Sequence, residues 1–198
     1  TPDRSMVLEA PLTIRHLENP AQRTIKADIR NLRITPAGLK QLSEWTSNDK
    51  ISISPYLQAI GTLEVTGALS YRSQYLKSHL NLHTDLGSMT LSGSFAKGNE
   101  IEAEVHTPGF QLGKLTGREE QFGETAFDLS GKGLLHSGAY PALSLQGTIG
   151  RLSYNHYDYH DITVDVDYRK GGFAGNVNIN DPHLALTTKG EVNLHSST

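Results

Sequence analysis

In six separate stretches of this chain, a glycine falls in phase with alternating apolar residues, inside the run and not at its end. The in-phase sets are Leu63, Val65, Gly67, Leu69; Met89, Leu91, Gly93, Phe95; Phe127, Leu129, Gly131; Leu143, Leu145, Gly147, Ile149; Phe173, Gly175, Val177, Ile179; and Leu184, Leu186, Thr188, Gly190, Val192, Leu194. Alternation with period two marks a strand with one buried face. Glycine inside such a strand weakens it, and is kept where the strand bends or where something approaches closely. Aligned across neighbouring strands, such glycines let a sheet curl toward its apolar side. With 19 glycines in 198 residues, the pattern governs most of the chain.

Other segments follow the same rule. Ile162, Val164, Val166 and Tyr168 alternate with Thr163, Asp165 and Asp167, as do Leu80 and Leu82 around Asn81, and Ile101, Ala103 and Val105 around Glu102 and Glu104. The interleaved residues, with Lys189, Glu191 and Asn193, form a wet face. Turn chemistry at 72–74, 86–88, 97–99, 170–172 and 180–182 separates the runs, so neighbouring strands are expected to pair antiparallel as a meander. A tight hairpin at Asn155-His156 places Tyr154 opposite Tyr157 and Leu152 opposite Tyr159. The apolar phase is odd up to Tyr159 and even from Ile162, which predicts a bulge near His160-Asp161. One helix is expected over 36–46, with Thr35 as N-cap, Pro36 at the first position, and Leu39, Leu42 and Trp45 on one side. Ser54-Pro55 suggests a second, single-turn helix.

An apolar sheet face must be covered, and one short helix cannot cover some ten strands. The chain therefore folds as a sandwich, a closed barrel, or an elongated U whose inner face is an apolar trough. A bare trough implies a ligand of matching character.

The composition excludes several function classes. Cysteine is absent, which removes disulfides, thiolate metal sites and cysteine nucleophiles. A net charge of −3 with interspersed signs argues against a nucleic-acid groove. No apolar run approaches the ~20 residues of a membrane-spanning helix. The chain begins Thr1-Pro2-Asp3, and we read it as an excised segment whose targeting or anchoring elements lie elsewhere. No nucleophile elbow, P-loop, dinucleotide fingerprint, zinc-protease or EF-hand pattern is present. His156, Asp158 and His160 would share a face in an extended strand and could seat a metal. The hairpin instead puts His156 in the turn and leaves Asp158 and His160 on the wet face. Neither catalysis, a metal nor a cofactor is expected.

From about residue 24 onward the order of features resembles the AsmA-like/TamB family (translocation and assembly module) of Bacteroidetes-type bacteria. The resemblance rests on Ser54 to Leu63 entering a strand with Gly67, on Thr84 to Met89, and on Phe110, Leu112, Gly113 and Leu115. It rests further on Leu152 to Val164, and on Phe173 and Gly175 leading to Asp181-Pro182, Leu184 and Gly190. His156 stands where such proteins often have glycine, and residues 1–23 match nothing and form a leading segment. The resemblance implies an all-β fold, an antiparallel meander curled into a U-shaped β-taco, over 24–198. It also implies a non-enzymatic periplasmic conduit, anchored in the inner membrane by a helix outside this segment and serving outer-membrane biogenesis. Implied partners are phospholipid or unfolded outer-membrane protein strands, with an outer-membrane barrel partner reached by the full-length protein.

On this reading, the trough is lined by Leu63, Val65, Leu69, Leu80, Leu82, Met89, Leu91, Phe95, Ile101, Val105, Ile162, Val164, Val166, Val177, Ile179, Leu184, Leu186, Val192 and Leu194. Gly67, Gly93, Gly131, Gly147, Gly175 and Gly190 set curvature and clearance. The competing reading is a structural or adhesive β-sandwich that binds protein or glycan through loops. A third is strand addition, in which a client strand pairs with an open sheet edge.

Overall fold

A computed structural model describes residues 4–19, 21–46, 59–134, 142–169 and 172–193. Twelve strands alternate with tight turns: β1 (Met6–Glu9), β2 (Leu12–Arg15), β3 (Thr24–Ile34), β4 (Leu63–Arg72), β5 (Tyr75–Thr84), β6 (Gly87–Ala96), β7 (Glu100–Gln111), β8 (Phe122–Leu134), β9 (Ala142–Tyr154), β10 (Tyr157–Arg169), β11 (Gly172–Asp181) and β12 (Leu184–Asn193). Among the described residues, two helices with defined bounds interrupt them, α1 (Pro36–Thr46) and α2 (Leu112–Thr116).

All twelve strands form one sheet. From β3 to β12 each strand pairs with the next in sequence, while β1 and β2 both pair with β3. Every pairing is antiparallel. The sheet does not close, because β12 does not meet β1. Among the described residues, close backbone contacts between strands follow this pairing order, and no second, separate sheet is present. The all-β curled meander expected from the alternation is the fold.

The accessible surface reflects this. A compact chain of this mass exposes about 9,200 Å² by the usual size scaling. This one exposes 13486 Å², so the chain is more open than a compact globule of its mass.

The local chemistry agrees with the elements. In α1, Thr35 caps the helix as expected, its Oγ1 accepting from Gly38 N–H at 3.3 Å while donating to the Ser5 carbonyl at 3.1 Å. Leu39 is buried, and the side chain of Trp45 lies outside the described residues. Ser54-Pro55, with the helix expected there, and the 170–171 turn also lie outside them.

Two turns fall slightly away from their expected places. Asp85–Leu86 forms the turn expected at 86–88, and Gly87 already belongs to β6 with φ 138, a conformation that favours glycine. Pro182–His183 forms the turn expected at 180–182, and Asp181 is the last residue of β11. The hairpin at Asn155-His156 has φ 49 and φ 66, as a two-residue turn with both residues left-handed requires, and it pairs Tyr154 with Tyr157 and Leu152 with Tyr159.

A seam of irregularities crosses the sheet. The register shifts between Ser88 and Thr90, between Thr107 and Phe110, and twice in β8, between Phe122 and Thr125 and between Ala126 and Phe127. The bulge expected near His160-Asp161 is not found as a register shift against β9; the strand only switches phase there, where Asp161 has φ 51. The β9–β10 register runs through it unbroken, because Gly150 and Arg151 switch phase opposite Asp161 and His160. Such bulges bend strands and increase their twist. They also free backbone groups, which threonine hydroxyls recover. Thr107 donates to the Ser88 carbonyl at 2.8 Å and Thr125 to the Arg151 carbonyl at 3.1 Å, and both side chains are buried.

Candidate functional site

The register determines what the apolar residues build. Read from strand to strand, direct partners form one unbroken row: Ile29, Gly67, Leu80, Leu91, Val105, Leu129, Gly147, Val164, Val177 and Thr188. Ten strands at ~4.8 Å spacing make this row about 43 Å long along the sheet.

A second row lies beside it: Ala27, Leu69, Ser78, Gly93, Ala103, Gly131, Leu145, Val166, Gly175 and Gly190. Seven of its ten members are glycine, alanine or serine. Four of the six glycines singled out in the sequence therefore fall in this one row, Gly175 and Gly190 side by side, and Gly67 and Gly147 belong to the neighbouring row. The small side chains thin the apolar surface along much of this mid-strand line.

The remaining lining residues flank these rows on the same face. Val65, Leu82 and Met89 form one stretch beside the long row; Ile162, Ile179 and Leu186 form another. Phe95 pairs with Ile101 on the far side of the small-residue row, and Leu63 pairs with Ile34. Leu184 is opposite Asp181, and Val192 is opposite Phe173 by register. Leu194 lies outside the described residues. Ile25, Ile29, Leu129, Leu143, Ile149, Tyr168 and Phe173 share this face without having been placed in the lining. For Leu129, Leu143, Ile149 and Phe173 the signal was already present in their alternation. In β3 it was broken by the register shift between Ile29 and Leu32.

Burial along the strands is uneven. Near the seam the face is closed: Val65 is 5% exposed, Phe110 6% and Ile162 4%. Toward the opposite strand ends it opens, with Phe95, Leu145 and Phe173 each about 40% exposed. On this open side lies a hollow of about 510 Å³ lined by Ile101, Ala103, Gly131, Leu143, Leu145 and Val166, among others.

The other face of the sheet is polar and paired. His79 Nδ1 meets Ser92 Oγ at 2.8 Å, His83 Nδ1 meets Ser88 Oγ at 2.7 Å, and His106 bonds Asp128. Thr187 donates to Asn178 Oδ1 at 2.6 Å. These histidines join adjacent strands and are not gathered around a centre. His160 Nδ1 lies 3.1 Å from the Gly150 carbonyl, and Asp158 accepts from Ser153. Among the described residues no group of three His, Asp or Glu side chains is placed to hold a metal.

One polar cluster gathers around the buried carboxylate of Asp181 at the seam end of β10 and β11. Asp181 accepts from the Tyr157 hydroxyl at 2.6 Å, from His183 N–H at 2.9 Å and from His160 N–H at 3.0 Å. The Tyr157 hydroxyl, donating a hydrogen bond to this carboxylate, has its pKa pushed up to about 12. Asp181 is held below its ordinary carboxylate range, chiefly by the same bond.

No family model matches the chain, and neither a curated protein nor a solved structure is significantly similar to it. No helix among the described residues is long and apolar enough to cross a membrane.

Proposed function

We propose that this chain is a non-enzymatic section of a periplasmic scaffold of the AsmA/TamB type, whose apolar face shields phospholipid acyl chains in transit between membranes. Transfer is passive: the trough replaces water around the hydrocarbon, and no residue performs chemistry. On this reading the full-length protein is anchored in the inner membrane of a Gram-negative cell and serves outer-membrane biogenesis.

The observation that carries the reading is the apolar row that crosses ten strands from Ile29 to Thr188, buried at Ile29 and partly exposed from Gly67 onward, and bordered by a row made mostly of glycine, alanine and serine. A soluble monomer rarely leaves a contiguous apolar surface beyond a few hundred Å² bare. Its length of about 43 Å exceeds the ~15 Å that one leaflet contributes to a bilayer's hydrocarbon, so it holds a chain at any point along its course. The same face suits the apolar side of an unfolded outer-membrane β-segment, whose alternating residues match the pleat. That cargo is the second reading, and it is consistent with the protein-assembly role of the family the sequence resembles.

Native mass spectrometry of the purified chain, with organic extraction and lipid analysis, tests the proposal. Phospholipid co-purifying at reproducible stoichiometry is the expected result. A clean apo mass with no uptake from offered phospholipid would overturn the lipid reading and leave the protein-segment reading in place.

A further inference from the structure

Two cavities meet at the open ends of β7, β8 and β9, away from both edges of the sheet. One is the apolar hollow of about 510 Å³. The other, of about 580 Å³, is lined from six consecutive strands, β5 to β10, and its charged residues are Glu100, Glu102, Lys132 and Arg169. Ile101, Lys132, Leu143 and Ser144 line both. The outermost apolar row runs along this border, with Phe95, Ile101, Gly133, Leu143, Tyr168 and Phe173 as successive partners. Gly133 leaves a gap in that row where the cavities meet, and Leu143 Cδ2 lies over the gap.

The charges of the second cavity are balanced and largely unpaired. Lys132 stands opposite Glu102 by register, yet neither forms an ion pair among the described residues, and nor does Glu100. Arg169 meets Asp167 at 3.4 Å with its side chain still 70% exposed. Two cations and two carboxylates around one cavity complement a headgroup that itself carries both signs. Each cavity has the size of a small-molecule site, typically about 300–1,000 Å³.

We propose that the two cavities together seat one phospholipid with a zwitterionic headgroup. One acyl chain fills the hollow and the other follows the neighbouring apolar row. The phosphate meets Lys132 and Arg169, and the ammonium meets Glu100 and Glu102. The proposal rests on the acyl-chain reading of the apolar face and adds which lipid that face prefers. A purely anionic headgroup sets like charge against both carboxylates, and a diacylglycerol offers no partner to any of the four groups. All four side chains are exposed, so each contact is worth only a few-fold in affinity.

Binding of pyrene-labelled phosphatidylethanolamine, phosphatidylglycerol and diacylglycerol with the same chains, read by fluorescence, tests this, with circular dichroism to confirm folding. The ethanolamine lipid should bind roughly three- to tenfold more tightly than either of the others. Lys132→Gln with Arg169→Gln should erase its advantage over diacylglycerol. Glu100→Gln with Glu102→Gln should turn the preference to phosphatidylglycerol. A Cβ on Gly131 comes no nearer than 3.3 Å to the facing strand, so Gly131→Leu fills the hollow and should weaken all three lipids. Ala103→Leu serves the same end where the first filling variant fails to fold.

Equal binding of the three lipids, or an ethanolamine lipid indifferent to both charge pairs, overturns the proposal and leaves the acyl-chain reading standing. Displacement by millimolar inorganic phosphate also overturns it, because the cations would then hold a free anion. So does tight binding that neither filling variant weakens, which puts the chain outside the hollow. Failure of all three lipids to bind overturns both this proposal and the reading beneath it.

Discussion

The hydroxyl of Tyr157 donates to Oδ1 of Asp181 at 2.6 Å, and this bond fastens the β9–β10 hairpin to the β11–β12 turn. The other Asp181 oxygen takes the backbone N–H of His160, which the phase switch at Asp161 turns away from the ordinary ladder. The Tyr157 ring also stacks edge-on with Tyr159 at 4.7 Å and with His183 at 5.6 Å. Tyr157→Phe keeps the rings and deletes the hydroxyl, so it isolates the bond. A melting temperature lower by a few degrees is expected by circular dichroism, with the sheet signal unchanged at low temperature.

The same pair makes stability depend on pH at both extremes. Asp181 titrates lower folded than unfolded, so its contribution is present above the unfolded value near 4 and is lost as pH falls through the folded value. Tyr157 is raised to about 12, so its contribution is complete below the unfolded value near 10 and is lost as pH rises toward 12. Denaturant midpoints measured across pH should fall on both flanks. Asp181→Asn should flatten the acid flank and Tyr157→Phe the alkaline one.

Two glycines of the apolar face should respond in opposite ways to the same substitution. Gly67 has φ 137, and a Cβ there would collide with the His79 carbonyl of the next strand. Gly67→Ala should cost at least about 2 kcal/mol through the backbone conformation and the displaced strand. Gly190 has neither constraint, and Gly190→Ala should stay within about 0.5 kcal/mol of wild type. Chemical denaturation of both variants decides it.

Leu91 stands mid-row, partnered by Leu80 and Val105, and its neighbour Thr90 points to the polar face, where it donates to Asn81 at 3.3 Å. Leu91→Arg should abolish fluorescent-lipid uptake while the chain still folds. Thr90→Arg, one residue away, should leave uptake within about twofold of wild type. Equal uptake by both variants would remove the apolar face from lipid binding.

His156 holds φ 66 without a glycine's freedom. His156→Gly should therefore stabilise the hairpin by roughly 0.5–1 kcal/mol, seen as a raised denaturant midpoint with unchanged slope.

Much of the molecule was legible from residue order. Most of β4 to β12 follows from alternation interrupted at turns and along the seam of bulges, and α1 follows from Thr35-Pro36 with Leu39 and Leu42. The five-residue helix α2 was not legible, since Phe110, Leu112 and Leu115 fit a strand as well as a single turn. Its end is set by Gly117 at φ 68, and its Thr116 hydroxyl donates back to the Leu112 carbonyl at 2.9 Å. β3 was missed because the register shift after Ile29 breaks its alternation, so Leu32 and Ile34 fall out of phase with Ile25 and Ile29.

The sequence by itself determined which residues share a face, because side chains on a strand alternate with period two whatever the strand pairs with. It therefore settled that Gly93, Gly131, Gly175 and Gly190 sit among apolar residues. It could not determine that these four align in one row, since that depends on the pairing of strands tens of residues apart and on every bulge between them. Nor could it choose between a sandwich, a barrel and an open trough. All three need the same alternation, and they differ only in what lies against the apolar face, which is a tertiary contact and has no local signature.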